Sequence, residues 1–444
     1  MPTLVVVDIG TYCDTRLMDD AMSRIAIEND LVYVVDIKRE IPLGRNGQQP
    51  VSYRFKTPSV VSGSSSKPNS NAKVDFPLFD PASNPITWGL THPNQAMKAF
   101  KWVTKLKRLT KRAINENGAS GMVMHYAATM LLWKLSPELL KSVPIFVIYH
   151  APGLISQNVP WIFDPILKNP DFHLYESGTK YKKLCLKSWY SYYTKIAVFI
   201  TVSMKPSQIR SKVAKLHHLQ CWDEAATMPL IPGQKNLKIH QIGALYNERY
   251  ANQEWYGDSK EPAWLAKFLV KPTILVSFGT FASSKELIQI LPFILNSLET
   301  IGVQVLFHLT TSVINIVETP LRRVLKGWIP YEWAVPKCAA VIFTGSVCLQ
   351  TVCAYNRVPM IFVPLLAEQF FWARNYEAMT GTPFIDYQSS SNAVSMNTIE
   401  AWLTHSGSAK TKAYLKSLSA SMKRNDGVKR IAKVVKDVLN GSKE

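Results

Sequence analysis

Hydrophobic positions fall into two regimes along the chain. Short unbroken apolar runs, bounded by Gly, Pro or polar residues, recur at 3–8, 31–37, 121–125, 144–149, 273–277, 304–309 and 340–343. Runs of this length without polar alternation predict strands covered on both faces, as in parallel sheets. Between them lie stretches with helical spacing. Residues 17–28 form one; residues 94–117 form another, with Met97, Trp102, Leu106, Leu109 and Ile114 on one face. Strands that alternate with helices predict doubly wound α/β architecture. A chain of 444 residues is long enough for two domains with full cores. The reading divides it into 1–245, a linker at 246–271 with a short helix at 262–269, a second domain at 272–425, and a terminal helical segment at 426–444.

The stretch 340–377 organises the second domain. It reads as a strand at 340–343, a turn at Thr344, Gly345 and Ser346, and a buried helix at 347–355. A further apolar strand follows at 358–366, then a short polar break at Ala367, Glu368 and Gln369, then another helix. Both polar breaks follow the carboxyl end of a strand, where open α/β sheets bind ligands. The segment VSFGTFASSKELIQILPFIL repeats the plan: strand, a turn at Gly279, and a helix from Ser283 or Ser284 whose free N–H groups would face an anion. An ordinary turn with a capped helix fits the same residues. Helices at 398–404 and 410–439 close the chain.

Other parts are less regular. Residues 39–96 lack a clear pattern, and 58–71 (PSVVSGSSSKPNSN) reads as a flexible loop. Residues 160–222 read as mostly helical, with a strand at 196–202. Their aromatics, including Trp161, Phe163, Trp189, Tyr190 and Tyr192, suit an apolar acceptor pocket and a packed core equally well. The opening β-loop-α-β unit carries no GxGxxG, so no dinucleotide fingerprint is present.

Charge narrows the partners. The formal net charge is +19. Basic residues cluster at 98–112 (Lys98 through Arg112), 180–187 and 410–436. These clusters read either as solvated helix faces or as a field for an anionic partner: a nucleotide sugar, an acidic membrane surface or nucleic acid. With no nucleic-acid-binding motif beside the charge, nucleic acid ranks below the other two. The six cysteines, Cys13, Cys185, Cys221, Cys338, Cys348 and Cys353, show no metal-ligand spacing and read as reduced buried thiols. No apolar run approaches the ~18 residues that span a bilayer. The N-terminus enters a strand directly, without a basic leader, and the C-terminus is a polar helix. The expectation is a cytoplasmic protein, with peripheral membrane contact through 98–112.

The stretch 340–377 resembles the donor-binding signature of UDP-glycosyltransferases of the family 1 and sterol-glucosyltransferase type. Anchored on Val358 and Pro359, the residues Pro364, Glu368, Gln369 and Ala373 fall in register with it. Upstream the sequence departs from the signature. Thr344 stands where the family has its diphosphate-binding His, and Gly345 is kept. Ser346 stands at the second Gly, Leu349 at the phosphate-binding Ser, Val352 at the ribose-binding Glu, and Arg357 at a Gly. The step Gly327-Trp328-Ile329-Pro330 resembles the Trp-x-Pro-Gln step that holds uracil, with Tyr331 at the Gln.

The resemblance implies a GT-B fold, two Rossmann-like doubly wound domains facing across a cleft, with the last helix crossing back to the first domain. It implies inverting, metal-independent transfer of a sugar from a UDP-sugar to a hydroxyl of a lipid, sterol or small-molecule acceptor, with no cofactor beyond the donor. Gly279, Thr280, Thr344, Gly345 and Ser346 would hold the diphosphate. Trp328 and Tyr331 would lie at the base, and Glu368 and Gln369 at the sugar hydroxyls. The family's catalytic His and its Asp partner are replaced by Asp14 and His125, a pair in swapped order that could activate an acceptor hydroxyl. Asp14 as a helix cap and His125 as a hydrogen-bonded core residue is the other reading of that pair. His150 is a further loop histidine in the same region. The departures upstream also fit a GT-B scaffold that binds a ligand or partner without transferring a sugar.

Overall fold

The computed structural model describes residues 2–8, 21–22, 24–26, 29–36, 51–55, 93–125, 143–149, 153–155, 163–165, 211, 213–226, 237–246, 251, 261–279, 285–309, 316–327, 329–364, 367–385 and 396–441. The chain forms two compact units. One comprises Met1–Trp222, Met228–Leu245 and Gly427–Glu444, and the other Asp223–Thr227 and Tyr246–Asp426.

The first unit is built on a seven-stranded parallel sheet. Its strands are β1 (Thr3–Asp8), β2 (Asp30–Asp36), β3 (Ser52–Phe55), β4 (Gly121–His125), β5 (Ile145–Tyr149), β8 (His217–Gln220) and β9 (Lys238–Gln241). They lie in the order β3-β2-β1-β4-β5-β8-β9. A separate antiparallel pair joins β6 (Gly153–Ile155) to β7 (Phe163–Pro165). Every residue of β4 and β5 is buried, which is why both read as unbroken apolar runs. Helix α1 (Pro93–Glu116) turns Leu106, Ala113 and Ile114 inward and leaves Lys105, Arg108, Lys111 and Arg112 exposed.

Two strands of this sheet lie in stretches that read as irregular or helical. Strand β3 (SYRF) and strand β8 (HHLQ) are largely polar, so no apolar run marks them. In β8 the imidazoles are buried but partnered. The Tyr149 hydroxyl meets His218 Nδ1 at 2.9 Å, and His218 Nε2 donates to the Val213 carbonyl at 3.1 Å. His217 Nδ1 meets His240 Nε2 on β9 at 3.1 Å. Partnered polar groups are tolerated where unpartnered ones would cost several kcal/mol, on the order of ~2–7.

The second unit is a five-stranded parallel sheet. Its strands are β10 (Thr273–Ser277), β11 (Gln304–Leu309), β12 (Arg322–Lys326), β13 (Ala340–Phe343) and β14 (Met360–Phe362), in the order β12-β11-β10-β13-β14. Strand order reverses between β10 and β13, so a topological switch point lies at their carboxyl ends. Helix α2 (Lys285–Thr300) covers one face through Leu287, Leu291, Ile294, Leu295 and Leu298, all buried. Each such side chain contributes about 1.5–3 kcal/mol by leaving water.

Helices α3 (Val347–Tyr355), α4 (Ala367–Thr380), α5 (Met396–Ser406) and α6 (Ala409–Arg424) belong to this unit, as do short helices at Leu265–Phe268 and Tyr331–Ala334. Helix α3 ends in a Schellman motif: Val358 N–H donates to Cys353 O at 2.9 Å and Arg357 N–H to Ala354 O at 3.2 Å. Arg357 occupies the left-handed position, with φ +60°.

Three expected boundaries move. The strand at 358–366 contracts to Met360–Phe362, trimmed by Pro359 and Pro364. Residues 367–369 form the first turn of α4 rather than a break before it, because polar residues such as Glu368 and Gln369 are at home where the helix leaves its N–H groups unpaired. The single helix read at 410–439 is two, α6 and α7 (Gly427–Leu439). Asn425 leaves helical geometry, with φ −100° and ψ 64°, and Asn-Asp-Gly is a turn sequence. Helix α7 belongs to the first unit. There Leu439 lies against Gly121, and Gly427 lies on the carbonyls of Gly243 and Ala244.

The loop at 58–71, the helix at 127–135, the strand at 196–202, and Trp161, Trp189, Tyr190 and Tyr192 lie outside the described residues, as does the side chain of Phe163.

Candidate functional site

The second unit brings three segments together at the switch point. Gly279 follows β10, with φ +53° and open space where a side chain would stand. Thr344, Gly345 and Ser346 follow β13. Thr344 is buried, and Gly345 has φ +99°, which favours glycine. A Cβ on Gly345 would stand 3.2 Å from Phe362 Cδ1 and 3.3 Å from both Cα and Cβ of Gln369. The bare glycine therefore lets the turn after β13 lie directly on the first turn of α4, where Gln369 is buried. Ser346 occupies the N-cap position of α3 without its side chain capping the helix, and its carbonyl accepts the Gln350 N–H at 2.9 Å.

A second constellation sits beneath these loops. Ser277, the last residue of β10, faces His308 on β11. The Ser277 hydroxyl lies 3.0 Å from His308 Nδ1 and 2.9 Å from the Tyr331 hydroxyl. The Tyr331 hydroxyl lies 3.0 Å from the same Nδ1. His308 Nε2 stands 2.7 Å from the carbonyl oxygen of Gly327, just past β12. A carbonyl only accepts, so Nε2 carries the proton and Nδ1 is an acceptor. One hydroxyl then donates to Nδ1 and the other to its neighbour's oxygen. Burial lowers the His308 pKa to about 4, against a smaller opposing effect of the Gly327 carbonyl. The imidazole is neutral at physiological pH.

In the first unit, His125 ends β4 and is fully buried. Strand β4 lies between β1 and β5, so His125 stands at the corresponding switch point of that sheet. His217 and His240 form a separate, nearly parallel pair on β8 and β9, with ring centroids 5.3 Å apart and planes at 17°.

The structure thus gathers Gly279, Thr344, Gly345, Ser346 and Gln369 on one edge of the second sheet, with Tyr331 held at the neighbouring strand ends. Glu368 lies in the first turn of α4, its side chain outside the described residues. Asp14, His150, Thr280 and Trp328 lie outside them as well. Sequence reasoning did not single out Ser277 or His308. The signal was present: each is a polar residue near the end of an otherwise apolar strand.

No protein-family model matches the chain, and no curated protein sequence does. Solved structures do. A Medicago truncatula glycosyltransferase in complex with UDP-glucose superposes with a TM-score of 0.62 at 12% identity, over 99% of this chain and 98% of that one. A Phytolacca americana glycosyltransferase in complex with UDP-2fluoro-glucose and pterostilbene gives 0.61 at 12% identity, over 98% and 99%. A spinosyn rhamnosyltransferase in complex with thymidine diphosphate gives 0.57 at 14% identity, over 99% and 100%. The architecture is that of the GT-B glycosyltransferases. Both parallel sheets, the order within each, and the full-length match define it.

Proposed function

We propose that the protein transfers a sugar from a nucleoside-diphosphate sugar, a UDP-sugar in the first instance, to a hydroxyl of an apolar acceptor such as a lipid, sterol or small molecule. The observation that carries this reading is the contact of Gly345 with Gln369. It joins a glycine turn at the switch point to a helix turn bearing a carboxylate–amide pair, and does so on a GT-B fold. In this reading Gly279, Thr280, Thr344, Gly345 and Ser346 receive the diphosphate through backbone N–H groups and hydroxyls. Glu368 accepts from sugar hydroxyls, and Gln369 donates and accepts there. Trp328 lies on the base side. Asp14 and His125 form the pair that takes the acceptor proton. The complete burial of His125 supports an orienting role for it in that pair. The chemistry needs no metal: the fixed dipoles of N–H groups at the switch point offset the leaving charge.

Calorimetry with a panel of nucleotide sugars, paired with an assay of nucleoside-diphosphate release, tests the reading. Binding lost in Glu368→Ala, and turnover lost with binding kept in Asp14→Ala, are the expected results. The absence of binding to every nucleotide sugar at millimolar concentration would sink the proposal. Binding without any release would leave the scaffold reading in its place.

We also propose a cytoplasmic protein that touches acidic membrane through α1. No helix among the described residues is long and apolar enough to cross a membrane. Exposed Lys105, Arg108, Lys111 and Arg112 share α1, and each basic residue near an anionic surface contributes about 1 kcal/mol. Vesicles containing phosphatidylserine should retain the wild type at low salt and release a variant with these four residues changed to Gln. Equal retention of both would refute the contact.

A further inference from the structure

We infer that Ser277, His308 and Tyr331 act as one positioning unit that holds the nucleoside half of the donor site in place, separately from its diphosphate half. The inference rests on the nucleotide-site reading of the second unit and adds residues and a division of labour to it.

The argument begins with strand order. Gly279 and Gly345 flank the switch between β10 and β13. The Gly327–Tyr331 loop follows β12, two strands away across β11. Neighbouring strands are about 4.8 Å apart, so the loop stands roughly 10 Å from β10 along the sheet edge. That span suits a nucleoside extending from a diphosphate seated at the switch.

The hydrogen bonds cross the same span. Ser277 is two residues before Gly279, on the strand that begins the diphosphate turn. His308 is on the strand between. Gly327 and Tyr331 bracket the far loop. His308 Nε2–H fixes one end of that loop through the Gly327 carbonyl at 2.7 Å, and its Nδ1 fixes the other through the Tyr331 hydroxyl at 3.0 Å. Ser277 closes the triangle at 3.0 and 2.9 Å. The ring of Tyr331 meets that of His308 edge-on, with centroids 5.6 Å apart and planes at 87°. Ser277, His308 and Tyr331 are each at most 8% exposed, so their hydroxyls and imidazole serve one another rather than the solvent. A ligand over the loop would meet backbone whose position these three side chains set.

The test compares two ligands that share the diphosphate but not the nucleoside. Calorimetry measures binding of UDP and of inorganic pyrophosphate to the wild type, Tyr331→Phe, Ser277→Ala and Ser277→Thr, with thermal unfolding run on each. Tyr331→Phe and Ser277→Ala should each weaken UDP about tenfold, the scale of one lost buried hydrogen bond, and leave pyrophosphate unchanged. Ser277→Thr restores the hydroxyl and should restore UDP affinity. Equal affinity of all four proteins for UDP would overturn the inference and leave the donor-site reading standing. Parallel loss of UDP and pyrophosphate would also overturn it, since the network would then merely support the fold. A wild type that binds neither ligand would remove the donor-site reading itself.

Discussion

Gly345 and Gln369 touch without an intervening side chain: a Cβ at 345 would stand 3.3 Å from Gln369 Cα. Two segments separated in the chain by helix α3 and strand β14 are thereby held in one place. Gly345→Ala would meet both that contact and a left-handed backbone, with φ +99°. Each unfavourable feature costs on the order of ~1–3 kcal/mol. The variant should unfold at lower denaturant, by about 2–4 kcal/mol, and should lose nucleotide-sugar binding. A variant of unchanged stability and affinity would show that the two segments need no close approach.

Arg357 tests the opposite substitution. It holds φ +60° at the end of the α3 Schellman motif, where an L-residue costs about 1–2 kcal/mol over glycine. Its side chain is exposed, so little packing is at stake. Arg357→Gly relieves the strain but frees the unfolded chain, which offsets part of the gain. The expected net effect is a stabilisation of about 0.5–1 kcal/mol, seen as a higher unfolding midpoint. A lower midpoint would mean that the arginine makes a contact worth more than the strain.

Acid should destabilise the protein in a defined window. Burial lowers His217, His218 and His308 to about 4 from 6.5; for His217, Lys238 and the neighbouring histidines add to the effect. The unfolded chain takes up these protons first. Stability is therefore fully present above pH 6.5 and is lost progressively as pH falls towards 4. His308 alone accounts for about 3 kcal/mol across that range. Denaturant unfolding at pH 7.5, 5.5 and 4.5 should show the decline, with a shallower slope in His308→Gln. Equal slopes in both proteins would mean that His308 does not titrate between the folded and unfolded states.

Gly427 opens α7 against the carbonyls of Gly243 and Ala244, and a Cβ there would meet Gly243 O at 2.9 Å. Both neighbours are backbone and cannot swing aside. Gly427→Ala should cost about 1–3 kcal/mol, and Gly427→Val more. Thermal scanning would read this as a loss of several degrees, and an unchanged midpoint in both variants would refute the tight seat.

Much of this architecture was legible as apolar runs. Strands β10, β11 and β13 and helix α3 fall where those runs end, because a strand buried on both faces has no polar side to blur it. Strands β3 and β8 were hidden by the same logic: SYRF and HHLQ are largely polar, β3 being a half-exposed edge strand and β8 owing its burial to partners such as Tyr149 and His240 that are distant in sequence. Gly279, Gly345 and Gln369 could be singled out as candidates from a resemblance in register. Ser277 and His308 showed only as polar residues near the ends of mostly apolar strands, and their relation to each other appears only when β10 and β11 pair.

Helix α7 completes the first unit although the second unit precedes it in the chain. During synthesis the sheet β3-β2-β1-β4-β5-β8-β9 is made early, yet Leu439 reaches Gly121 only after residues 246–426 have followed. The second unit, drawn almost wholly from one continuous stretch, can mature first. The order of completion is the reverse of the order of translation, and until α7 arrives the first unit leaves open to the surroundings the surface that Ile431 and Val435 will cover.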